Sequence, residues 1–174
     1  EFYSFNELAP MLVDYLKDYG YTHVEVMPVY EHPLDASWGY QGTGYYSITP
    51  RYGSPKDFMY FVDYLHQHGI GVIMDWVPGH ICKDAFGLYR FDGTFLYEYS
   101  KEEDRENKEW GTVNLDLGKG VTRSFLYSNA MFYLKYFHVD GFRVDAVSNM
   151  IYYLGNINRG VNEGACDFMR KLSS

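Results

Sequence analysis

Apolar residues recur at helical spacing in four stretches, and three short apolar or β-branched runs lie between them. Ser4-Phe5-Asn6-Glu7 has the S-x-x-E pattern of a capping box, in which the serine and glutamate side chains each satisfy a backbone N–H of the first turn. Leu8, Leu12, Tyr15, Leu16 and Tyr19 follow at the spacing of one helix face, and Gly20 supplies a stop. Thr22-His23-Val24-Glu25-Val26-Met27-Pro28-Val29 predicts a strand closed by proline. Residues 30–53 read as loop, with glycine and aromatics alternating without a period from Trp38 to Tyr46. Ser54-Pro55 opens a second helix, proline standing at the first helical position, with Phe58, Phe61, Val62 and Leu65 on its apolar face and Gly69 as its stop.

Ile70-Gly71-Val72-Ile73-Met74-Asp75-Trp76-Val77 predicts a second strand, followed by Pro78-Gly79-His80. Residues 81–120 are charged, aromatic and punctuated by glycine, too long for an ordinary connection, and read as irregular, either a functional excursion or a small subdomain. A third helix is predicted over 121–137, carrying Phe125, Leu126, Met131, Leu134 and Phe137, then a third strand over 141–147 and a fourth helix from Asn162 to Leu172. Strands alternating with helices imply parallel strands joined by right-handed crossovers. Two architectures fit that order: a doubly wound open α/β sheet, or part of a (β/α)8 TIM barrel. No G-x-G-x-x-G or G-x-x-x-x-G-K-[ST] follows any strand, so a nucleotide-binding fold has no positive support.

Composition narrows the function. The 174 residues suit one domain, and at 47% hydrophobic they can build a core. A net charge of −8 argues against a nucleic-acid or anionic-membrane surface. The 20% aromatic content suits a sugar binder or a large core alike. Cys82 and Cys166 lack C-x-x-C partners, which excludes the usual zinc and redox motifs and makes a reducing cytoplasm the expected location. There is no apolar run long enough for a membrane span and no signal peptide. The chain begins without methionine, inside a helix-start signal, and so reads as an excerpt of something longer.

The chemistry lies at the strand ends. In Gly141-Phe142-Arg143-Val144-Asp145-Ala146-Val147, Arg143 and Asp145 are two apart and so share a face of a strand. A guanidinium beside a carboxylate holds it ionised, and such a carboxylate at a strand end is a competent nucleophile. An isolated R-x-D fits a structural ion pair equally well. The second strand carries Asp75 and runs into His80, and the first is followed by Tyr40 between glycines. Polar groups after three successive strands point to the C-terminal face where α/β barrels keep their active sites. Asp75 fits a carboxylate that caps a loop or pairs with Arg143. His80 fits a neutral hydrogen-bonding histidine, and Tyr40 a stacking platform. His66 and His68 read as surface or boundary residues rather than metal ligands, and residues 102–106 as a solvated charge run.

Asp75-Trp76-Val77-Pro78-Gly79-His80 and Gly141-Phe142-Arg143-Val144-Asp145-Ala146 resemble the first two signature regions of the α-amylase superfamily. Ser37-Trp38-Gly39-Tyr40-Gln41, the Pro-Gly-His ending and Trp110-Gly111-Thr112 resemble the glycogen (1,4-α-glucan) branching enzymes within it. The resemblance runs from about residue 5 to residue 172. It implies that residues 1–174 are a fragment of one catalytic (β/α)8 barrel, about strands 2 to 4, with 81–120 the excursion after barrel strand 3. Asp145 would be the catalytic nucleophile and Arg143 its orienting partner. Tyr40 and His80 would bind the sugar, with Asp75 a supporting carboxylate of the substrate-binding group. The partner would be an α-1,4-glucan, glycogen or amylose, whose α-1,4 bond is cut and whose severed chain is passed to a 6-hydroxyl with retention.

The same resemblance places the general acid, a glutamate, at the end of the next strand, and a His–Asp pair two strands further. Glu163 fits a first-turn helix acid instead. The first barrel strand is expected before residue 1. The fragment alone is therefore expected to be inactive, with the rest of the parent barrel needed. No cofactor and no metal are expected: Asp84, Asp92 and Asp116 are scattered without ligand spacing. An amylase or debranching hydrolase of the superfamily, or a non-catalytic glucan-binding relative, are the alternatives.

Overall fold

The computed structural model of the chain describes residues 2–174. In chain order its main elements are α1 (Phe5–Asp18), β1 (His23–Val26), β2 (Tyr30–Glu31), β3 (Gly44–Ile48), α2 (Pro55–Gln67), β4 (Gly71–Trp76), β5 (His80–Ile81), α3 (Glu102–Arg105), β6 (Glu106–Asn107), β7 (Thr112–Asn114), α4 (Gly120–Phe132), β8 (Gly141–Val144), α5 (Val147–Ile151) and α6 (Glu163–Leu172). They fall into two compact units. The first comprises Glu1–Tyr40, Gly44–Trp76 and Ala130–Arg143; the second comprises Gln41–Thr43, Val77–Asn129 and Val144–Ser174.

The first unit is built on a three-stranded sheet in the order β1-β4-β8. β1 and β4 are parallel, in a register running from His23 opposite Gly71 to Val26 opposite Met74. Parallel strands need a crossover, and α2 provides it. Both helices start as their sequences predict. Ser4 accepts from the Glu7 N–H while the Glu7 carboxylate takes the Ser4 N–H, and Ser54 and Asp57 repeat the exchange on α2. Such a cap is worth about 1 kcal/mol. Gly20 and Gly69 end the two helices at φ +74 and +76, the left-handed conformation glycine adopts without a Cβ clash.

α2 buries Phe58, Phe61, Val62 and Leu65, the face its spacing predicts. α1 follows its prediction only in part, at Leu16. It buries Phe5, Ala9, Val13 and Leu16, whereas Tyr15 and Tyr19 lie in solvent and stack on each other at 4.7 Å. The alternative stripe is offset by about one residue, roughly 100° of helix. The tyrosines stay on the wet side, where their hydroxyls remain hydrated. The core between these helices and the sheet is completed by Val72, Met74 and Trp76 of β4.

Residues 30–53, read from sequence as loop, contain the antiparallel β2–β3 pair, with Tyr30 and Tyr45 stacked at 5.3 Å. α4 continues as a π-helical segment, Tyr133–Phe137, which His138 ends at φ +57. Tyr133 is fully buried, and its hydroxyl donates to the Tyr45 carbonyl at 2.8 Å. Of the residues predicted to face the core here, Leu126 and Phe137 do, but Met131 is exposed. His66 is more than a boundary residue. Its Nε2 lies 2.7 Å from an Asp140 carboxylate oxygen that also accepts the Val72 N–H at 2.7 Å. This tethers the entry to β8 onto α2 and β4.

The second unit holds a small antiparallel sheet in the order β5-β7-β6. The stretch 81–120 is thus more ordered than its sequence suggests, in strands of two or three residues, too short to show an alternating period. Residues 102–106 are a solvated run only in part, with Glu102 and Glu103 exposed. Arg105 is buried, donates to the Tyr99 and Ser100 carbonyls, and lies 3.7 Å from the Phe95 ring centroid. On α6, Asn162 caps the helix and Glu163 sits in the first turn, as its sequence position predicts. Phe168 packs on Tyr127 with ring centroids 4.6 Å apart.

Candidate active site

The end of β4 places Asp75 at the centre of a polar cluster in the first unit. β4 is apolar up to that point, so its backbone is committed to the sheet, and Asp75 is carried inward with its neighbours to 1% exposure. A buried carboxylate needs partners, and Asp75 has two kinds. Arg143 Nη1 donates to both of its oxygens, at 3.0 and 3.1 Å. The Tyr40 hydroxyl donates to Oδ2. Arg143 also lies 6.0 Å from the Tyr40 ring centroid, at the edge of cation–π range. Three of the residues singled out from sequence are therefore one unit, with the carboxylate as its hub. Asp75 is buried, and both of its oxygens accept from Arg143, one of them from Tyr40 as well.

The loop that delivers Tyr40 has little freedom. Trp38 stands at φ +55 and Gly39 at φ +90. A Cβ on Gly39 would come within 2.6 Å of the Pro28 carbonyl oxygen, so only glycine lets this loop lie on the end of the first strand segment.

The other two candidates belong to the second unit. β8 ends at Val144, so Asp145 lies just past the strand rather than within it, half-buried at the turn into α5. The next residue, Ala146, adopts φ +50 and ψ +40. A non-glycine residue there costs about 1–2 kcal/mol, and strain of this kind gathers beside functional groups. The strand predicted over 141–147 is thus shorter than expected: it stops at Val144, and Asp145 stands in the turn that follows.

His80 starts β5 and is 3% exposed, with its ring 4.9 Å from that of Trp110. Burial pushes its imidazole from 6.5 down to about 4, so it is neutral at physiological pH. An unfolded chain takes up the proton as pH falls through 6.5, whereas the folded one does so only near 4. The stability from burying neutral His80 is full above the unfolded value and is lost between those two points, about 3 kcal/mol in all. In a full-length parent, lowering the pH from about 7 to about 5 is expected to lower the melting temperature, and His80→Gln to narrow that drop. Equal drops in both proteins would show that the folded state protonates His80 as readily as the unfolded chain does.

Gln41, Asn107 and Trp110 escaped the sequence-based choice of individual site residues, although Gln41 and Trp110 lie in stretches that carried the family resemblance. Among the described residues no group of three or more His, Cys, Asp or Glu is placed to hold a metal ion, and no helix is long and apolar enough to cross a membrane.

The chain matches the α-amylase catalytic domain over residues 11–111. The 1,4-alpha-glucan branching enzyme GlgB of Bacillus caldolyticus is 62% identical over 99% of this chain, and that of Bacillus subtilis (strain 168) is 59% identical over 98%. This chain covers 26% and 27% of those two proteins, so it spans about a quarter of the length of the curated relatives it matches. Among solved structures, the maltogenic α-amylase AmyB from Thermotoga neapolitana matches with a TM-score of 0.67 at 25% identity, over 80% of this chain and 34% of that one. The trehalose-6-phosphate hydrolase of Bacillus licheniformis matches with a TM-score of 0.73 at 21% identity, over 97% and 38%, a likeness of fold. The parallel β1–β4 pair, the crossover helix and these matches agree: the chain belongs to the α-amylase family and is a segment of its catalytic (β/α)8 barrel.

Proposed function

We propose that the chain is the central barrel segment of a 1,4-α-glucan branching enzyme. The observation that carries this reading is the 62% identity to a branching enzyme over 99% of the chain. The Tyr40–Asp75–Arg143 cluster supports it, because such a network presets a guanidinium and an aromatic ring before any substrate arrives. Asp145 acts as nucleophile. Its carboxylate attacks the anomeric carbon of an α-1,4-linked glucose, and the bond from that carbon to O4 breaks as O4 takes a proton from a general acid. The acceptor's 6-hydroxyl then attacks the same carbon, gives its proton to the same group, and displaces Asp145. Two inversions give net retention. Arg143 orients the nucleophile, His80 hydrogen-bonds the sugar as a neutral imidazole, Tyr40 stacks on it, and Asp75 holds Tyr40 and Arg143.

A retaining transfer needs two carboxyls about 5–5.5 Å apart. In this reading the second is a glutamate of a longer parent, so the 174 residues by themselves should show no turnover. We place the parent in the cytoplasm, a reading supported by the free thiols of Cys82 and Cys166. The test is amylose treated with the parent. Branching predicts a changed iodine stain with no release of reducing ends, while a parallel rise in reducing ends would make the enzyme a hydrolase.

A further inference from the structure

Trp110 lies in the connection between β6 and β7, and its indole covers the His80 ring at 4.9 Å with the planes at 47°. Both backbone polar groups of Trp110 are held by side chains. Its N–H donates to Asn107 Oδ1 at 3.2 Å, and its carbonyl accepts from Gln41 Nε2 at 2.9 Å. Gln41 is anchored in turn, its own carbonyl accepting the Cys82 thiol at 2.9 Å. The next residue, Gly111, stands at φ +68, which gives the turn a conformation other residues enter only under strain. The His80 side is equally fixed: His80 pairs with Asn114 and Ile81 with Val113 across β5 and β7. The imidazole is thus carried on one strand of a small sheet and the indole on the turn that joins its other two strands. The turn bearing the indole is held at both backbone groups, more than filling an apolar gap requires.

We infer that Trp110 is a positioning residue that sets the plane of the His80 imidazole against the sugar. This rests on the glucan-contacting role proposed for His80. A rigid ring packed against an imidazole at a 47° tilt opposes rotation about the last side-chain torsion, a soft torsion with broad wells. An aliphatic side chain of similar bulk would exclude water equally but would not select a ring plane.

The test uses the full-length parent with two substitutions. Trp110→Leu keeps apolar bulk and removes the flat face, whereas Trp110→Phe keeps a flat face. Trp110→Leu is expected to lower kcat about tenfold with KM changed less than about twofold and the melting temperature within about 2 °C, and Trp110→Phe to recover kcat to within about threefold of the parent. Independently of activity, the ring-proton signal of isotope-labelled His80, assigned by its loss in His80→Gln, should sit upfield in the parent and in Trp110→Phe and move downfield in Trp110→Leu. Equal losses in Leu and Phe, a parental kcat in Leu, or a loss that tracks the melting temperature would reduce Trp110 to a packing residue. A parent with no glucan transfer at all would sink the functional reading instead, and the ring signal alone would then decide whether Trp110 orients His80.

Discussion

Asp145→Ala in the full-length parent is expected to abolish glucan transfer, by about 10⁴-fold or more, because in the proposed mechanism it removes the atom that bonds to the anomeric carbon. Folding should survive. Asp145 is half-buried at a turn beyond β8, outside the buried apolar core, and its loss opens no cavity there. Substitutions of that kind usually change stability by less than about 1 kcal/mol. The measurement is the iodine-stain rate on amylose alongside a thermal melt. Transfer at a parental rate by the alanine variant would remove Asp145 from the nucleophile's role, whatever the family resemblance suggests.

Asp75→Ala should damage stability and rate together. The carboxylate is almost wholly inaccessible and accepts from Arg143 and Tyr40 at once. Breaking a fully buried ion pair costs about 3–5 kcal/mol. The Arg143 side chain is 43% exposed, so its charge regains water when the partner is lost. Allowing for that screening, the expected destabilisation is about 2–3 kcal/mol. The rate should fall about a hundredfold, since both the guanidinium and the phenol lose the group that orients them. Asp75→Asn keeps the shape and an acceptor for Tyr40 but not the charge that Arg143 faces, and should fall between. A variant with parental rate and melting temperature would show that Tyr40 and Arg143 are held by something other than this carboxylate.

The proposed branching activity and the proposed roles of individual residues rest on different supports. The activity leans on near-complete coverage of this chain by branching enzymes. The roles lean on motifs matched residue by residue, and for Tyr40, Asp75 and Arg143 on a hydrogen-bonded network. The two substitutions above separate them: one removes the reacting atom, the other removes the scaffold and leaves that atom in place.

What the sequence determined by itself was whatever local chemistry decides. The starts of α1 and α2 were legible because a capping box is closed by residues three apart, Ser4 with Glu7 and Ser54 with Asp57. The α2 face was legible because its apolar residues leave a single stripe. The β1–α2–β4 order followed from runs bounded by glycine and proline, and the order alone implied parallel pairing. Short strands were not legible. β2, β3, β5, β6 and β7 run two to five residues, and what makes them strands is a partner across the sheet rather than an internal period. The α1 face was misread because two adjacent stripes are apolar, and only packing decides which one is buried.

The site divides the same way. Asp75, His80, Tyr40, Arg143 and Asp145 could be named one by one, because each stands in a motif. That Asp75 binds both Tyr40 and Arg143 joins positions 35 and 68 residues apart, and no local pattern encodes such a meeting. The burial of Arg105 beneath Phe95, and of His80 beside Trp110, likewise came from the tertiary structure alone. Hydrogen bonding and desolvation act through space, so a residue's charge state and orientation depend on neighbours that the chain brings together only by folding.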